Sequence, residues 1–320
     1  MRCLIAQPVH PVAADTLRAA GVEIVEAGPR DRLTDLAPGC SAILTRNARV
    51  DGPVMAAAGK ALRVVAIHGA GSDGVDLDEA TRRGVVVANT PGANARSVAE
   101  LAIGLAFALA RRLPQADAAA RAGDFSFKYH ARLLELSGLV FGVVGFGAIG
   151  QETARIASAL GMDVFAHAPR RSHAEVARSG ARRAGSLEAL LRESDIVSLH
   201  LPATDETRGF LGRERFAMMK RGAILLNTGR GETVDEVALC EALADGHLAG
   251  AGLDVFSSEP LPPGHPLLAR DNVILSPHVG GSTEAALRRT GLASARIVVD
   301  VLAGRRPAHL LNPKVLELAR

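Results

Sequence analysis

Leu139-Val140-Phe141-Gly142-Val143-Val144-Gly145-Phe146-Gly147-Ala148-Ile149-Gly150-Gln151 is the stretch whose reading decides the fold. Leu139, Val140, Phe141, Val143 and Val144 form a short apolar run of the kind that makes a buried strand. Gly145, Gly147 and Gly150 follow in G-x-G-x-x-G spacing, and a helical pattern opens at Gln151-Glu152-Thr153-Ala154-Arg155-Ile156-Ala157. A strand that turns tightly into a helix is the setting in which such glycines matter. Gly145 allows the turn, Gly147 lets backbone approach a pyrophosphate, and Gly150 lets the helix pack on the strand. Free N–H groups at the helix start then face the phosphates. Three spaced glycines in a chain with 33 of them also suit a generic strand–turn–helix. The flanking pattern favours a dinucleotide site.

The 320 residues predict about two domains. With 48% hydrophobic and 22% charged residues, the composition is that of a globular chain, not a disordered one. Net charge is only +3. Arg111-Arg112, Arg170-Arg171, Arg182-Arg183 and Arg305-Arg306 are separated pairs, so nucleic acid is not the expected partner. Cys3, Cys40 and Cys240 are far apart and show no metal-ligand spacing. Reduced thiols are expected, and no metal. The N-terminus lacks a signal pattern, and the longest apolar stretch, Leu101 to Ala110, is too short to span a membrane. The expectation is a cytoplasmic protein without a membrane partner.

Residues 1 to about 90 alternate predicted strands (Leu4–Ala6, Glu23–Val25, Ala42–Leu44, Val64–Ile67, Val85–Val87) with amphipathic stretches such as Val12–Ala20 and Pro53–Ala58. This is the pattern of β-α-β units and a parallel sheet. A glycine-rich loop, His68 to Gly74, follows the fourth strand, where it either lines a ligand crevice or makes an ordinary turn. Ser97 and Glu100 predict a capping box for a long helix from about Val98 to Ala122, kinked or split at Pro114. Gly123 to Ser137 is expected to be a loop or short helix. From Leu139 a second series supplies about six parallel strands, a full dinucleotide-binding fold. A last helix, Thr283 to Ala303, is expected to return to the first domain.

In sites that prefer NAD, an acid at the end of the second strand binds the ribose 2′-hydroxyl. Here Asp163 sits at the start of that strand, and the expected acidic position is near Ala168. Arg170, Arg171 and Ser172 follow. A missing carboxylate with nearby guanidinium groups predicts NADP, with NAD possible, because an acid repels a 2′-phosphate and Arg grips it. The alternative is that both arginines are solvated surface charges.

Three later segments place polar groups at strand ends: Arg230 in Leu225–Glu236, Asp254 and Glu259 in Gly252–Pro260, and His278 in Ile274–Thr283. Carbonyl reduction needs a proton donor of near-neutral pKa, which His supplies, and a fixed cation to hold a carboxylate, which Arg supplies. A carboxylate beside the His would orient its ring. Singly, each has a plainer explanation: a surface turn for Arg230, a helix-end charge for Glu259, a satisfied loop histidine for His278. His200, at another strand end, could line the cofactor groove.

At this point the chain resembles the D-isomer-specific 2-hydroxyacid dehydrogenases, the group that includes phosphoglycerate dehydrogenase and the glyoxylate/hydroxypyruvate reductases. The likeness runs from HGAGSDGVDLDEATRRGVVVANTPGANARSVAELAIGLAFALAR (His68 onward) through GFGAIG and LHLPATDETRGF to SPHVGGST. It implies an α/β fold of two doubly wound parallel-sheet domains. A Rossmann dinucleotide-binding domain, 97–282, is inserted into a smaller flavodoxin-like substrate domain made of 1–96 and 283–320, with the active site in the cleft. It implies that Arg230 binds substrate carboxylate and carbonyl, that His278 is the acid/base, and that Glu259 pairs with His278. Asp254 would lie near the nicotinamide carboxamide. Gly145, Gly147, Ala148, Ile149, Gly150, Leu201, Pro202, Thr207, Thr228 and Gly229 would line the cofactor. Backbone N–H groups of Ala70 and Gly71 would meet the substrate carboxylate, and Arg46 matches a position near substrate in some members.

The resemblance also implies a homodimer paired through the dinucleotide domains and the long first helix. Two departures stand out. Ala148 replaces the usual Arg of the fingerprint, and the acid near Ala168 is missing. No regulatory domain of the kind some phosphoglycerate dehydrogenases carry follows the last helix, so serine feedback is not expected. The expected function is reduction of small 2-keto acids to D-2-hydroxy acids, of the glyoxylate/hydroxypyruvate type, with NADP preferred. The alternatives are an NAD-dependent D-3-phosphoglycerate dehydrogenase and a non-catalytic dinucleotide-sensing protein on the same scaffold.

Overall fold

A computed structural model describes residues 1–318; Ala319 and Arg320, the end of the expected substrate domain, lie outside the described residues. The chain forms two compact units, Met1–Asn94 with the segment from Gly281, and Ala95–Gly280.

The first unit holds a sheet of β1 (Arg2–Ile5), β2 (Glu23–Glu26), β3 (Ala42–Thr45), β4 (Val64–Ile67) and β5 (Val86–Ala88). All pairings are parallel, in the order β2-β1-β3-β4-β5. This is the flavodoxin-like order. The strands are short apolar runs because both faces are covered. Leu4, Ile43, Val65 and Ile67 enter one core cluster. Their neighbours Cys3, Ile5, Ala42, Leu44, Val64 and Ala66 enter the other, as period-two alternation demands. The second cluster is closed by the helix Pro11–Ala19 and by Ala295, Ile297, Val298, Val301 and Leu302 of the helix Glu284–Leu302.

The second unit holds β6 (Val140–Val144), β7 (Asp163–His167), β8 (Ala181–Arg183), β9 (Ile196–Leu199), β10 (Ala223–Asn227), β11 (Leu248–Leu253) and β12 (Val273–Leu275). Their order is β12-β11-β10-β9-β6-β7-β8, the doubly wound dinucleotide-binding order with one added edge strand. Chain reversal at β6 and β9 opens a crevice beyond the carboxyl ends of those strands, where ligands bind in such sheets.

Two sequence expectations need correction. The second sheet has seven strands, not six. The missed β8, Ala181-Arg182-Arg183, is an edge strand with one face on the core, and its two arginines hide the strand signal. The long helix is split beside Pro114, one of the two expected outcomes, into Ala95–Ala110 and Leu113–Arg121. Arg112 between them adopts φ 47°, and Pro114 sits in the first turn of the second helix, where its missing N–H costs nothing. Ser97 is not an N-cap. The first helix begins at Ala95, Ser97 lies inside it, and its hydroxyl donates to the Gly280 carbonyl at 2.6 Å. Glu100 pairs with Arg96 instead. Within Gly123–Ser137 only Phe127–His130 is helical. No helix among the described residues is long and apolar enough to cross a membrane.

Candidate active site

The glycine turn after β6 has the geometry its spacing demands. Gly145 has φ +92°, and a Cβ there would lie 2.6 Å from the His200 carbonyl oxygen. A Cβ on Gly150 would meet the Gly145 oxygen at 2.1 Å. At Gly147 a Cβ would meet nothing within 4 Å, so its face is open. The helix Ala148–Ala159 starts here without a side-chain cap, and its first backbone bond runs from Gln151 N–H to Gly147. The N–H groups of Ala148, Ile149 and Gly150 precede that bond and have no intrahelical acceptor. An open glycine, unspent amides and a positive helix end suit a pyrophosphate. A second observation agrees. The Thr228 hydroxyl oxygen, just past β10, is buried with no partner. The residues present therefore fit a dinucleotide.

At the end of β7, Ala168 is buried at 4% exposure and brings no carboxylate. Asp163, at the strand's start, pairs with Arg182. Arg170 is exposed. Arg171 lies 3.0 Å from Glu175, and Ser172 caps the helix His173–Ala177 in a capping box with Glu175. The Ser172 amide first, then the Arg171 guanidinium and the Ser172 hydroxyl, hold the Glu175 carboxyl down at about 2. An acid is thus present beside the expected NADP arginines, one helical turn further on. The Ser172-x-x-Glu175 pattern was the available signal. Burial holds the His167 imidazole, at the strand's end, below its usual range. Arg183 at the end of β8, another cation the sequence did not flag, has a buried Nε without a partner.

Past β9, His200 Nε2 contacts the Ser198 hydroxyl at 3.0 Å, and its Nδ1 is buried without a partner. Burial drives this imidazole down to about 4. Leu201 and Pro202 follow. Thr207 donates to the Pro202 carbonyl at 2.6 Å and accepts from Thr204 N–H at 2.8 Å, which fixes this loop.

Past β10, the Asn227 side chain organises the next turn. It donates to the Arg230 carbonyl at 2.9 Å and accepts from Gly229 N–H at 3.0 Å. Arg230 is thus presented from a fastened turn, and its guanidinium also touches the Gly229 carbonyl at 2.8 Å. Past β11, Asp254 is 1% exposed. Its carboxylate accepts from the Ser276 hydroxyl at 2.6 Å and from the Val279 and Gly280 amides at 2.8 Å each. Asp254 therefore shapes the turn past β12. That turn carries His278 at φ 52°, an unusual conformation for a side chain with Cβ. His278 Nδ1 lies 2.8 Å from Glu259 Oε2, and Glu259 Oε1 accepts from Phe256 N–H at 3.1 Å.

The remaining expected residues lie in the first unit. Arg46 follows β3 and donates to the Ser282 hydroxyl at 2.5 Å. Its guanidinium pKa is lowered by burial. The loop with Ala70 and Gly71 is pinned by Asn89, which donates to the Ala70 carbonyl at 2.6 Å, and by Gly69 N–H to the Thr90 hydroxyl at 2.9 Å. His68 beneath it is 4% exposed, with Nε2 unpartnered.

Fold and strand-end geometry define a doubly wound α/β protein whose second unit is built to bind a dinucleotide. Residues 103–280 match the family model described as D-isomer specific 2-hydroxyacid dehydrogenase, NAD binding domain. A glyoxylate reductase of Aeropyrum pernix is 38% identical over 328 residues, covering 99% of this chain and 97% of that protein. A D-3-phosphoglycerate dehydrogenase of Archaeoglobus fulgidus is 38% identical over 320 residues, and the chain, 99% covered, spans 60% of its length. Among solved structures, a Thermus thermophilus protein matches with TM-score 0.88 and 41% identity, covering 97% of this chain and all of that one. A glyoxylate reductase from Paecilomyes thermophila matches with TM-score 0.85 and 29% identity over 98% of each chain. The chain belongs to the D-isomer-specific 2-hydroxyacid dehydrogenase family.

Proposed function

We propose that this protein reduces small 2-keto acids of the glyoxylate or hydroxypyruvate type to D-2-hydroxy acids, with NADPH preferred to NADH. The observation that carries this is the 2.8 Å contact of His278 Nδ1 with Glu259, next to strand ends that also present Arg230. A bound reduced nicotinamide dinucleotide, held at the glycine turn after β6, would supply the hydride for the keto carbon. With Nδ1 taken up by a carboxylate, Nε2 is the imidazole nitrogen that gives its proton to the carbonyl oxygen as charge develops there. Glu259 orients the ring through its contact with Nδ1. Arg230 holds the substrate carboxylate and polarises the carbonyl. Asp254 keeps the His278 turn in shape. In the first unit, Arg46 and the amides of Ala70 and Gly71 are assigned to the substrate's anionic end, so Arg46→Ala should raise KM more than it lowers kcat.

The cofactor preference rests on Ala168, which offers no acid, and on Arg170 and Arg171. The Arg171–Glu175 pair is exposed, and such pairs cost little to break, so Arg171 is available to a 2′-phosphate. We assign the exposed apolar side chains of Phe107, Leu113, Phe125, Tyr129 and Leu133, within 95–137, to contacts of a homodimer. A monomer by light scattering would exclude that assembly. We place the reaction in the cytoplasm, where the free thiols of Cys3, Cys40 and Cys240 would stay reduced.

The test is oxidation of NADPH, repeated with NADH, across glyoxylate, hydroxypyruvate, phosphohydroxypyruvate and larger branched 2-keto acids. Highest kcat/KM is expected for glyoxylate or hydroxypyruvate with NADPH. No turnover of any 2-keto acid would remove the function, and equal or better kcat/KM with NADH would remove the cofactor preference. NAD-dependent oxidation of D-3-phosphoglycerate is the second possibility, favoured by relatives of that name at 38% identity. Best turnover of phosphohydroxypyruvate with NADH would select it.

A further inference from the structure

Glu236 and His265 form a second carboxylate–imidazole pair in the same unit. Glu236 opens the helix Glu236–Ala244, and His265 precedes the short turn Pro266–Ala269. Their side chains are 13% and 17% exposed, and His265 Nε2 lies 3.3 Å from Glu236 Oε2. Leu267 N–H donates to His265 Nδ1 at 3.4 Å. A neutral imidazole that accepts at Nδ1 carries its proton on Nε2, so the ring donates to Glu236. The other oxygen, Glu236 Oε1, accepts from Ser257 N–H at 2.7 Å. One carboxylate thus ties together both ends of the segment 257–265, which contains no helix or strand.

That segment carries Glu259. The turn before it is fastened by carboxylates on consecutive amides, Glu259 on Phe256 and Glu236 on Ser257. Gly231, next to Arg230, packs so closely that a Cβ on it would meet the Phe256 carbonyl carbon at 1.9 Å. A displacement of Phe256 and Ser257 would therefore draw Glu259 away from His278 and loosen the turn that presents Arg230. Burying an imidazole–carboxylate pair carries a desolvation cost and is a weak route to stability, which suits a pair kept for the geometry it imposes.

We propose that Glu236 and His265 are positioning residues that hold Glu259 against His278. This rests on the Glu259–His278 assignment made above. The experiment compares Glu236→Ala, Glu236→Gln and His265→Ala in the full chain. It measures kcat and KM for glyoxylate with NADPH, NADPH affinity by fluorescence, Tm, and the proton NMR signal of the hydrogen-bonded His278 Nδ1–H, assigned by its loss in His278→Ala.

In Glu236→Ala, kcat should fall about tenfold or more, because catalysis is sensitive to a misplacement on the scale of 1 Å. KM and NADPH affinity should change little, and the His278 signal should broaden or vanish. Glu236→Gln keeps an oxygen for the Ser257 N–H, the anchor of the turn before Glu259, but sets an amide NH2 against the His265 Nε2–H, so it should restore part of both kcat and the signal. His265→Ala should fall in the direction of Glu236→Ala, and it carries the test if that variant does not fold. An unchanged kcat and signal in the alanine variants overturns the proposal. So does a loss that follows Tm and is not rescued by Gln. Should the wild type turn over no 2-keto acid, the function fails separately, and persistence of the His278 signal in Glu236→Ala still overturns the positioning role.

Discussion

Gly147 and Gly150 should fail in different ways when replaced by alanine. At Gly150 the added methyl would sit 2.1 Å from the Gly145 carbonyl oxygen, and 3.2 Å from its carbon. Both are backbone atoms, so no rotamer change relieves the contact. The helix Ala148–Ala159 must withdraw by about 1.3 Å to reach the 3.4 Å of an ordinary contact. Withdrawal lifts Ala154 and Ala157 from Phe141, Val143 and Val164. Overpacking of this kind costs roughly 3 kcal/mol, and the better helix propensity of alanine returns about 1 kcal/mol. A net loss of about 2 kcal/mol lowers Tm by roughly 4–8 °C in a domain of this size. At Gly147 the methyl meets nothing within 4 Å, and the backbone, at φ −75°, suits alanine. Its stability should match the parent. The methyl would instead stand between the backbone and a pyrophosphate, and loss of one charge-assisted bond weakens binding by about 10- to 100-fold. Thermal unfolding and NADPH titration of both variants give the answer. A Gly150→Ala protein as stable as the parent, or a Gly147→Ala protein that loses stability but not affinity, refutes the reasoning.

Three further outcomes are expected. Arg230→Ala and His278→Ala should each lower kcat/KM by about 10²- to 10⁴-fold, while His167→Ala leaves it near wild type; steady-state kinetics with full activity in His278→Ala would defeat the assignment. Arg170→Ala combined with Arg171→Ala should lower kcat/KM for NADPH by about 10- to 100-fold and leave NADH turnover alone, and an equal loss with both would show a general defect. His200 should make stability depend on pH. Its folded pKa of about 4 lies below the ordinary value of 6.5, so below 6.5 the unfolded chain binds a proton that the folded chain does not. The contribution is complete above pH 6.5 and is lost as pH falls toward 4, at no more than about 1.4 kcal/mol per pH unit. Urea unfolding between pH 7.5 and 5 should show a shallower slope for His200→Leu, and identical slopes would exclude this role.

The strands were legible because both sheets are covered on both faces, which leaves near-continuous apolar runs such as Val64–Ile67 and Ala223–Asn227. Edge strand β8 was not, since arginine is no sheet signal. The false cap at Ser97 followed a correct local pattern, but the hydroxyl serves the Gly280 carbonyl, a partner 183 residues away. In the candidate site, positions just past strand ends could be read from order alone, which is why Arg230, Asp254 and His278 stood out. The task of Asp254 could not be read, because its donors at Ser276, Val279 and Gly280 arrive only when the β12 turn folds back. Glu236 and His265 escaped for the same reason. Glu175 was readable from its capping box, and it tempers the positive charge at Arg171.

The first unit is made from the two ends of the chain, and this has a consequence for synthesis. Residues 1–94 leave the ribosome first, yet the face formed by Ile5, Leu44, Val64 and Ala66 is closed partly by Ala295, Val298 and Val301. That face stays bare while some two hundred residues are added. The contiguous second unit can complete its own core in the meantime. Order of maturation should then run opposite to order of emergence, with the amino-terminal sheet the last to be sealed. During that wait, exposed apolar strands are the part of a nascent chain most prone to stray association, so chaperone demand should concentrate on the first ninety residues.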